Sequence, residues 1–293
     1  LPEYKKLSSI KMQKNLLTII FLLVPVFLLV IFTYIPFVNM VRYSFYRWDG
    51  ISPMEFIGFN NYRVLFSNAR YFSVIFTSVY YIVASFIQIF LALVFAFWLS
   101  FKLKGTNFFK GVFFFPYLLN GVAVALMFLF FFEPRGTLNS ILRLFGAESQ
   151  IKLWLTEPII NNILLASISI WRNIGFNIVI FIAAIQSISS DLYEAAEMDG
   201  ATKSQVLWRI VVPNIKMVIL LSFILAIKGA ISVFEVPFLV TGGDWGTSTF
   251  VIEALNITFG SNARYGLGSA FAVVLFVIIM IVTIAQRLLL KED

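Results

Sequence analysis

Long apolar runs without charge constrain this chain more than any other feature. Runs free of Asp, Glu, Lys and Arg cover 15–41, 71–101, 111–132 and 265–286. Each run is as long as the roughly 20 residues that an α-helix needs to cross a bilayer, and each is far longer than a barrel strand. Since a backbone in lipid must satisfy its own hydrogen bonds, the runs predict membrane-spanning helices.

Two further apolar stretches complete the set. One, 158–190, is interrupted only by Arg172, and the other, 217–243, is interrupted by Lys228 and Glu235. The sequence therefore predicts an all-α membrane protein, a six-helix polytopic bundle that forms a single transmembrane domain over 1–293. The predicted helices cover about 15–41, 71–101, 110–132, 160–188, 214–240 and 265–288, with extracytoplasmic segments at 42–70 and 133–159 and a cytoplasmic loop at 190–213.

Composition excludes several classes of chemistry. The chain is 60% hydrophobic, against about 45–50% in soluble domains. It contains no Cys and no His, which excludes disulfides, thiol chemistry and histidine-based catalysis or metal binding. The dipeptide Gly-Lys never occurs, so the chain has no P-loop for a nucleotide. We expect no catalytic residue, no metal and no cofactor on this polypeptide, which is predicted not to be an enzyme.

The distribution of basic residues indicates an orientation. With the N-terminus inside, the inner segments carry 12 of the 22 Lys and Arg residues and the outer segments carry 8. The remaining two, Arg172 and Lys228, lie within apolar stretches. Because cytoplasmic loops are enriched in Lys and Arg, this bias predicts that both termini are cytoplasmic (N-in/C-in). The net charge of +7 is interpreted as this orientation signal, and no nucleic-acid partner is expected.

The inner loop between the fourth and fifth predicted helices is the most informative polar segment. Asp191 and Glu194 have the spacing of a capping box, and Gly200 suits the left-handed residue that ends a helix. Thr202 and Gln205 repeat the capping pattern for a second short helix. The loop is thus predicted to be rigid and protruding, which suits docking to a partner.

The same loop carries a family resemblance. The spacing of Glu194-Ala195-Ala196, Gly200, Ile210 and Pro213 resembles the EAA loop of ABC importer permeases. Gly58–Tyr62 and Thr241–Gly243 are similar to segments of carbohydrate permeases of the maltose, glycerol-3-phosphate and multiple-sugar type, on the side of the larger maltose-permease-type subunit. The resemblance covers nearly the whole chain and implies the type I ABC-importer permease fold.

Partners follow from the resemblance. It implies a second homologous permease subunit, two cytoplasmic ATPase subunits that hold ATP and Mg²⁺, and an extracytoplasmic sugar-binding protein, all assembled at the bacterial plasma membrane. The loop would then couple this chain to the ATPase. The coupling residues implied are Asp191, Tyr193, Glu194, Ala195, Ala196, Glu197, Asp199, Gly200, Ile210 and Pro213.

Polar residues in the bilayer are costly and usually face a cavity or a partner. The candidates for a solute pathway are Ser169, Arg172, Asn173, Phe176, Asn177, Lys228, Ser232 and Glu235. Lys228, Ser232 and Glu235 have the spacing of one helix face. Two interpretations stay open: the stripe lines a translocation cavity, or Arg172 and Glu235 form a structural ion pair that never meets solute. Gln88 and Asn120 are expected to form interhelical hydrogen bonds.

The resemblance bears on the solute as well. The sugar-contacting positions of the maltose permease fall on Ser169, Arg172, Asn173 and Phe176, and in the next helix on Ala226, Gly229, Ala230 and Val233. The second set is apolar here, which implies a different substrate, and Arg172 and Lys228 leave an anionic solute open. An ion-driven secondary carrier and a non-transporting membrane receptor or scaffold are the alternative functions.

Overall fold

A computed structural model describes residues 2–101 and 105–289. Lys102, Lys104 and Lys291, which the charge count assigns to the inner side, lie outside the described residues. The helices are α1 (Pro2–Leu29), α2 (Ile35–Tyr43), α3 (Asn60–Ser67), α4 (Ala69–Ser100), α5 (Thr106–Leu118), α6 (Gly121–Phe132), α7 (Thr137–Leu144), α8 (Pro158–Gln186), α9 (Ser190–Met198), α10 (Lys203–Val206), α11 (Val212–Asn214), α12 (Lys216–Ile231), α13 (Glu235–Thr241), α14 (Phe250–Phe259) and α15 (Tyr265–Leu289). Two short strands, β1 (Tyr46–Arg47) and β2 (Glu55–Phe56), pair antiparallel.

Six helical stretches in the described part of the chain are long and apolar enough to cross a membrane. They are Leu17–Tyr43, Ala69–Ser100, Gly121–Leu144, Pro158–Gln186, Lys216–Thr241 and Tyr265–Leu288. The prediction of an all-α membrane protein with six spanning segments is therefore confirmed.

Two of the helices predicted from the sequence, 110–132 and 214–240, are interrupted in the structure. Within 110–132, α5 ends and α6 begins across Leu119 and Asn120, whose backbones are extended. Within 214–240, α12 ends and α13 begins across 232–234. Pro116 lies just before the first break and cannot donate a backbone hydrogen bond, which weakens the helix there.

Proline also explains two wide helical turns. The segments Val30–Tyr34 and Leu207–Val211 are π-helical, and each ends two residues before a proline, Pro36 or Pro213. A proline ring clashes with the carbonyl four residues earlier, and that carbonyl lies inside the π-helical segment in both cases. The wider turn thus lets the helix continue past the proline, because its hydrogen bonds join residues five apart.

The described residues divide into two compact units. The first comprises the residues up to 65 together with 257–273. In this unit the Asn61 side-chain amide donates hydrogen bonds to the carbonyls of Ser44 (2.8 Å) and Tyr46 (2.9 Å). The amide therefore ties the β-hairpin strand to α3. The second unit comprises 66–256 and the residues from 274 onward.

The core of the second unit is built on α4 and α8. One apolar cluster joins Ile89–Phe97 of α4 and Ile174–Ile185 of α8 to buried residues of the 190–213 loop. A second cluster joins the other halves of the same helices to α6 and α13. The two long helices thus connect the loop at one end of the unit with the interrupted helices further along.

Gly175 generates a test of this packing. A Cβ at Gly175 would lie in the backbone carbonyl of Phe113, because α5 and α8 approach closely at this glycine. Gly175→Ala should therefore destabilise the protein by about 1–3 kcal/mol, as overpacking does, and lower its thermal unfolding midpoint in detergent. Gly111→Ala in α5 is the matched control, since a Cβ there meets nothing within 4 Å. Equal midpoints for the two variants would contradict the close approach.

Candidate functional site

A cavity of about 260 Å³ lies in the second unit among α4, α5, α8 and α12. Its lining is mixed, with apolar residues, the three aromatic rings of Tyr81, Tyr117 and Phe176, and a set of polar side chains. The polar residues are Tyr81, Ser85, Gln88, Tyr117, Ser169, Asn173, Asn177 and Ser222. On α8 they lie near the middle of the helix, so the cavity is far from either end of the bundle.

Four pathway candidates from the sequence line this cavity: Ser169, Asn173, Phe176 and Asn177. Asn173 donates to the carbonyl of Ser169 at 2.9 Å, which leaves its amide oxygen for another donor. The Phe176 ring stacks on Tyr117, with 4.8 Å between centroids and 24° between planes. The α8 side therefore offers an aromatic surface beside amide groups.

The α4 side was missed by sequence reasoning. Tyr81, Ser85 and Gln88 line the cavity, and their spacing of four and three residues is that of one helix face. This periodicity in an otherwise apolar helix is the signal that could have found them. The interhelical hydrogen bond expected for Gln88 is wrong, because no described residue bonds its side-chain amide; Ser85 instead lies 3.4 Å from the carbonyl of Ala226.

Several of these polar groups lack a protein partner. The side chains of Gln88 and Asn177, 7% and 6% exposed, have no hydrogen bond within residues 2–101 and 105–289. The hydroxyl of Tyr81 is buried and also has none. Since an unsatisfied buried polar group costs free energy, a cluster of three indicates a place where a polar ligand or water completes the bonding.

The α12 side matches the apolar set noted in the sequence. Ala226, Gly229, Ala230 and Val233 all line the cavity, together with Ser222. These small side chains leave room in the cavity. Apart from the Ser222 hydroxyl, the α12 side supplies no hydrogen-bonding side chain to the cavity.

Arg172 lies outside this lining and forms an ion pair with Glu235. The Arg172 Nη1 donates to Glu235 Oε2 at 2.7 Å, with side chains 24% and 41% exposed. The structure thus shows the ion pair that the sequence left as one of two interpretations. Lys228 and Ser232 are also absent from the cavity lining.

The predicted common face of Lys228, Ser232 and Glu235 is wrong. Ser232 ends α12, and its hydroxyl donates to the Lys228 carbonyl at 2.8 Å. Glu235 then begins a separate helix, α13. The break between them removes the helical register on which the prediction depended.

Glu235 also contacts the start of α6. A Cβ at Gly121 would overlap the Glu235 carboxylate, so only glycine allows this approach. The first residues of a helix carry partial positive charge, which favours a carboxylate. Asn120 caps α6 by accepting from Val122 N at 2.8 Å, so the interhelical hydrogen bond expected for Asn120 is wrong. Arg172 and the α6 start thus both stabilise the Glu235 charge.

The side chains that line the cavity carry no charge. None of the described residues that line it is Asp, Glu, Lys or Arg. The two basic residues that left an anionic solute open, Arg172 and Lys228, lie elsewhere. The lining can donate and accept hydrogen bonds, but it offers a bound molecule no counter-charge.

At one end of the unit, the 190–213 loop has the predicted helices with one changed cap. Ser189, not Asp191, caps α9, accepting from Asp191 N at 3.3 Å. Asp191 lies in the first turn, where its charge is still favourable. Gly200 has φ +70°, and the Thr202–Gln205 capping box is present, as predicted.

The loop exposes its acids and buries small apolar residues. Asp191, Glu194, Glu197 and Asp199 are all exposed, as is Ala195. The apolar anchors in the core are Ala196, Val206, Leu207 and Val211, while Ile210 is half-buried and Pro213 is exposed.

Two side-chain contacts fasten the loop further. The Tyr193 hydroxyl donates to the Ile185 carbonyl at 3.4 Å, and burial raises the pKa of this hydroxyl. Lys203 places its Nζ 4.4 Å from the centroid of the Phe101 ring. The loop is therefore anchored to the ends of α8 and α4.

In the described ranges, no group of three or more acidic residues is placed to hold a metal ion.

The ion pair generates a stability test. Glu235→Gln would leave a partly buried Arg172 without its carboxylate, so we expect a loss of about 1–3 kcal/mol, less than for a fully buried pair. The measurement is thermal unfolding of the purified protein in detergent. The double variant Arg172→Gln/Glu235→Gln should regain part of the loss. A single variant as stable as the parent would show that the pair does not stabilise the fold.

The sequence matches a known family of membrane proteins. The model of the family described as "Binding-protein-dependent transport system inner membrane component" matches residues 88–292. The chain is 35% identical over 280 residues to the multiple sugar-binding transport system permease protein MsmF of Streptococcus mutans, covering 93% of this chain and 94% of that one. It is 28% identical to the trehalose/maltose transport system permease protein MalF of Thermococcus litoralis, with 94% of each covered.

A solved structure shares the fold. A chain of a bacterial ABC transporter involved in the import of the acidic polysaccharide alginate superposes with a TM-score of 0.83 at 24% identity, over 95% of this chain and 96% of that chain. The family model covers residues 88–292, and the relatives and the fold extend the likeness over nearly the whole sequence. The chain therefore belongs to the inner-membrane components of binding-protein-dependent transport systems, as a multi-pass ABC permease of the bacterial plasma membrane.

Proposed function

We propose that this chain is the permease subunit of an ATP-driven importer of uncharged sugars. It would form the translocation pathway with a second permease and receive sugar from an extracytoplasmic binding protein. Two cytoplasmic ATPase subunits would hold ATP and Mg²⁺, since the sequence contains no P-loop. The names of the relatives, which include multiple-sugar and trehalose/maltose permeases, support the sugar class.

The observation that carries the solute class is the uncharged polar cavity. Hydroxyl and amide side chains can exchange hydrogen bonds with sugar hydroxyls, and the stacked Phe176 and Tyr117 rings offer apolar surface to the C–H groups of a sugar. A carboxylate or phosphate would find no cation in this lining and would lose its hydration without compensation. An uncharged saccharide is therefore favoured over an anionic one.

The cavity's size supports a shared pathway. Its volume of about 260 Å³ is slightly below the roughly 300–1,000 Å³ of small-molecule sites. A second permease facing it would enlarge the site and close its open side. The missing hydrogen-bonding groups on the α12 side could then come from that partner.

The 190–213 loop is the proposed contact with the ATPase. It is capped, anchored in the core by Ala196 and Leu207, and exposes four acids on one short segment. Such a segment can transmit a displacement because its buried side moves with α4 and α8. In the proposed N-in/C-in orientation it lies on the cytoplasmic side, with 42–70 and 133–159 outside.

The solute class predicts a selective response. Reconstituted with its copurifying subunits, the complex should hydrolyse ATP faster with maltose or trehalose and the binding protein than with sn-glycerol 3-phosphate. Gln88→Leu should weaken the apparent sugar affinity roughly two- to tenfold, as for one hydrogen bond. Gln150→Leu, at an exposed position outside the cavity, is the matched control. Preferential stimulation by the anionic solute would refute the uncharged class.

The coupling loop predicts a separate defect. Glu194→Lys reverses an exposed charge on the proposed ATPase contact, so uptake should be abolished while membrane insertion stays normal. Glu148→Lys makes the same change in the 133–159 segment that precedes α8, where Glu148 is also exposed, and should transport normally. The readouts are sugar uptake into proteoliposomes and the amount of ATPase that copurifies. Full uptake by the Glu194 variant would exclude the coupling role.

A further inference from the structure

A second cavity, of about 490 Å³, lies at the opposite end of the unit from the 190–213 loop. It is bounded by the first turns of α4 and α8 and by the loop that follows α13. The residues that matter for its chemistry are Arg70, Tyr80, Asn162, Asp244, Trp245 and Glu253. It shares no lining residue with the mid-bundle cavity, so the two are separate sites.

Trp245 has an unusual backbone in this loop. Its φ is +56°, and it is the one non-glycine residue with positive φ among the described positions. The neighbouring positive-φ residues are Gly242, Gly243 and Gly246. Left-handed backbone is strained for a large side chain, and such strain clusters at functional sites. Glycine would adopt this backbone without strain, so the presence of tryptophan here indicates that the indole ring has a function.

Buried polar contacts hold the strained loop in place. Asn161 Nδ2 donates to the carbonyl of Trp245 at 3.0 Å, and Asn162 Nδ2 donates to that of Gly246 at 2.9 Å. The hydroxyls of Thr241 and Thr247 lie 2.5 Å apart. These contacts fix the backbone without using the indole, which stays 59% exposed. The loop therefore presents the ring outward on a rigid support.

Buried polar groups surround the rest of the cavity. Glu253 is 4% exposed, and its carboxylate lies 3.6 Å from Arg70 Nε and 3.3 Å from the Ser248 hydroxyl. The Asn162 Oδ1 is buried and has no hydrogen-bond partner. Its amide orientation is defined, because the Nδ2 contacts the carbonyls of Pro158 and Gly246. An unpaired buried acceptor implies a missing donor.

We propose that this cavity is an outer saccharide-binding site in which the Trp245 ring packs against the face of a sugar. A sugar ring exposes C–H groups on its faces, which pack on an aromatic surface, and hydroxyls at its edge, which donate to carboxylate and amide oxygens. Trp245 supplies the surface, and the carboxylates of Glu253 and Asp244 supply acceptors. The inference rests on the proposed function, since it takes a sugar to be the solute.

The test is photolabelling of the assembled complex with a diazirine-bearing maltotriose, mapped by mass spectrometry. Labels are expected in 242–253 and, separately, around the mid-bundle cavity. Trp245→Ala should weaken labelling of 242–253 roughly three- to tenfold, as for the loss of an aromatic contact, and leave the mid-bundle labels unchanged. Trp245→Phe should retain most of the outer labelling. Trp98→Ala, which removes another exposed indole, should change neither.

Trp245→Gly separates the ring from the backbone. Glycine relieves the strain at positive φ, so this variant should unfold at a higher temperature than Trp245→Ala, yet lose the same outer labelling. This result would exclude misfolding as the cause of the loss.

The outcomes distinguish the two proposals. Labels in the mid-bundle cavity alone would overturn the outer site and leave the sugar-importer function standing, whereas no labels in either cavity would count against both. Outer labels that persist in Trp245→Ala would also overturn the site. So would a variant that loses only its binding to the sugar-binding protein, measured by pull-down, because the indole would then serve a protein contact.

Discussion

The ion pair between Arg172 and Glu235 lies where two interrupted helices meet. Breaking a helix inside a bilayer leaves backbone groups without partners, and lipid supplies none. Asn120 satisfies the start of α6, and the Glu235 carboxylate lies against that same start because Gly121 has no side chain. Arg172 then balances the carboxylate. Each break is thus stabilised by groups from another helix, and both basic and acidic charge are kept out of the cavity.

Much of the fold could be predicted because lipid imposes a simple length rule. Apolar runs of about 20 residues indicate spanning helices whatever their neighbours, and the six stretches follow. The breaks at Leu119–Asn120 and 232–234 could not be predicted the same way. They depend on a contact between Glu235 and Gly121, which are over 100 residues apart in sequence, and on Arg172 in a third helix. The local sequence pattern does not show which distant residues will be in contact.

The candidate site was predictable to the extent that a motif or a periodicity marked it. The caps of the 190–213 loop follow from short-range hydrogen bonding, so the Thr202–Gln205 box is found as expected. Ser189 replaced Asp191 as the cap because either oxygen can reach the first free amides, and sequence alone does not rank them. Tyr81 and Ser85 were missed, and Gln88 was assigned to an interhelical hydrogen bond, because the spacing of polar residues in a long apolar helix marks one face without showing whether that face meets a cavity or another helix.

Helix α8 carries two surfaces with different tasks. Its middle turns contribute Asn173 and Phe176 to the cavity, while its last turns pack in the same apolar cluster as Ala196 and Leu207 of the loop. Residues on the first surface can change without altering the second. Under the proposed function, exchange of cavity side chains would therefore change the transported solute without altering the contact with the ATPase, and the same ATPase subunits would fit permeases of different specificity.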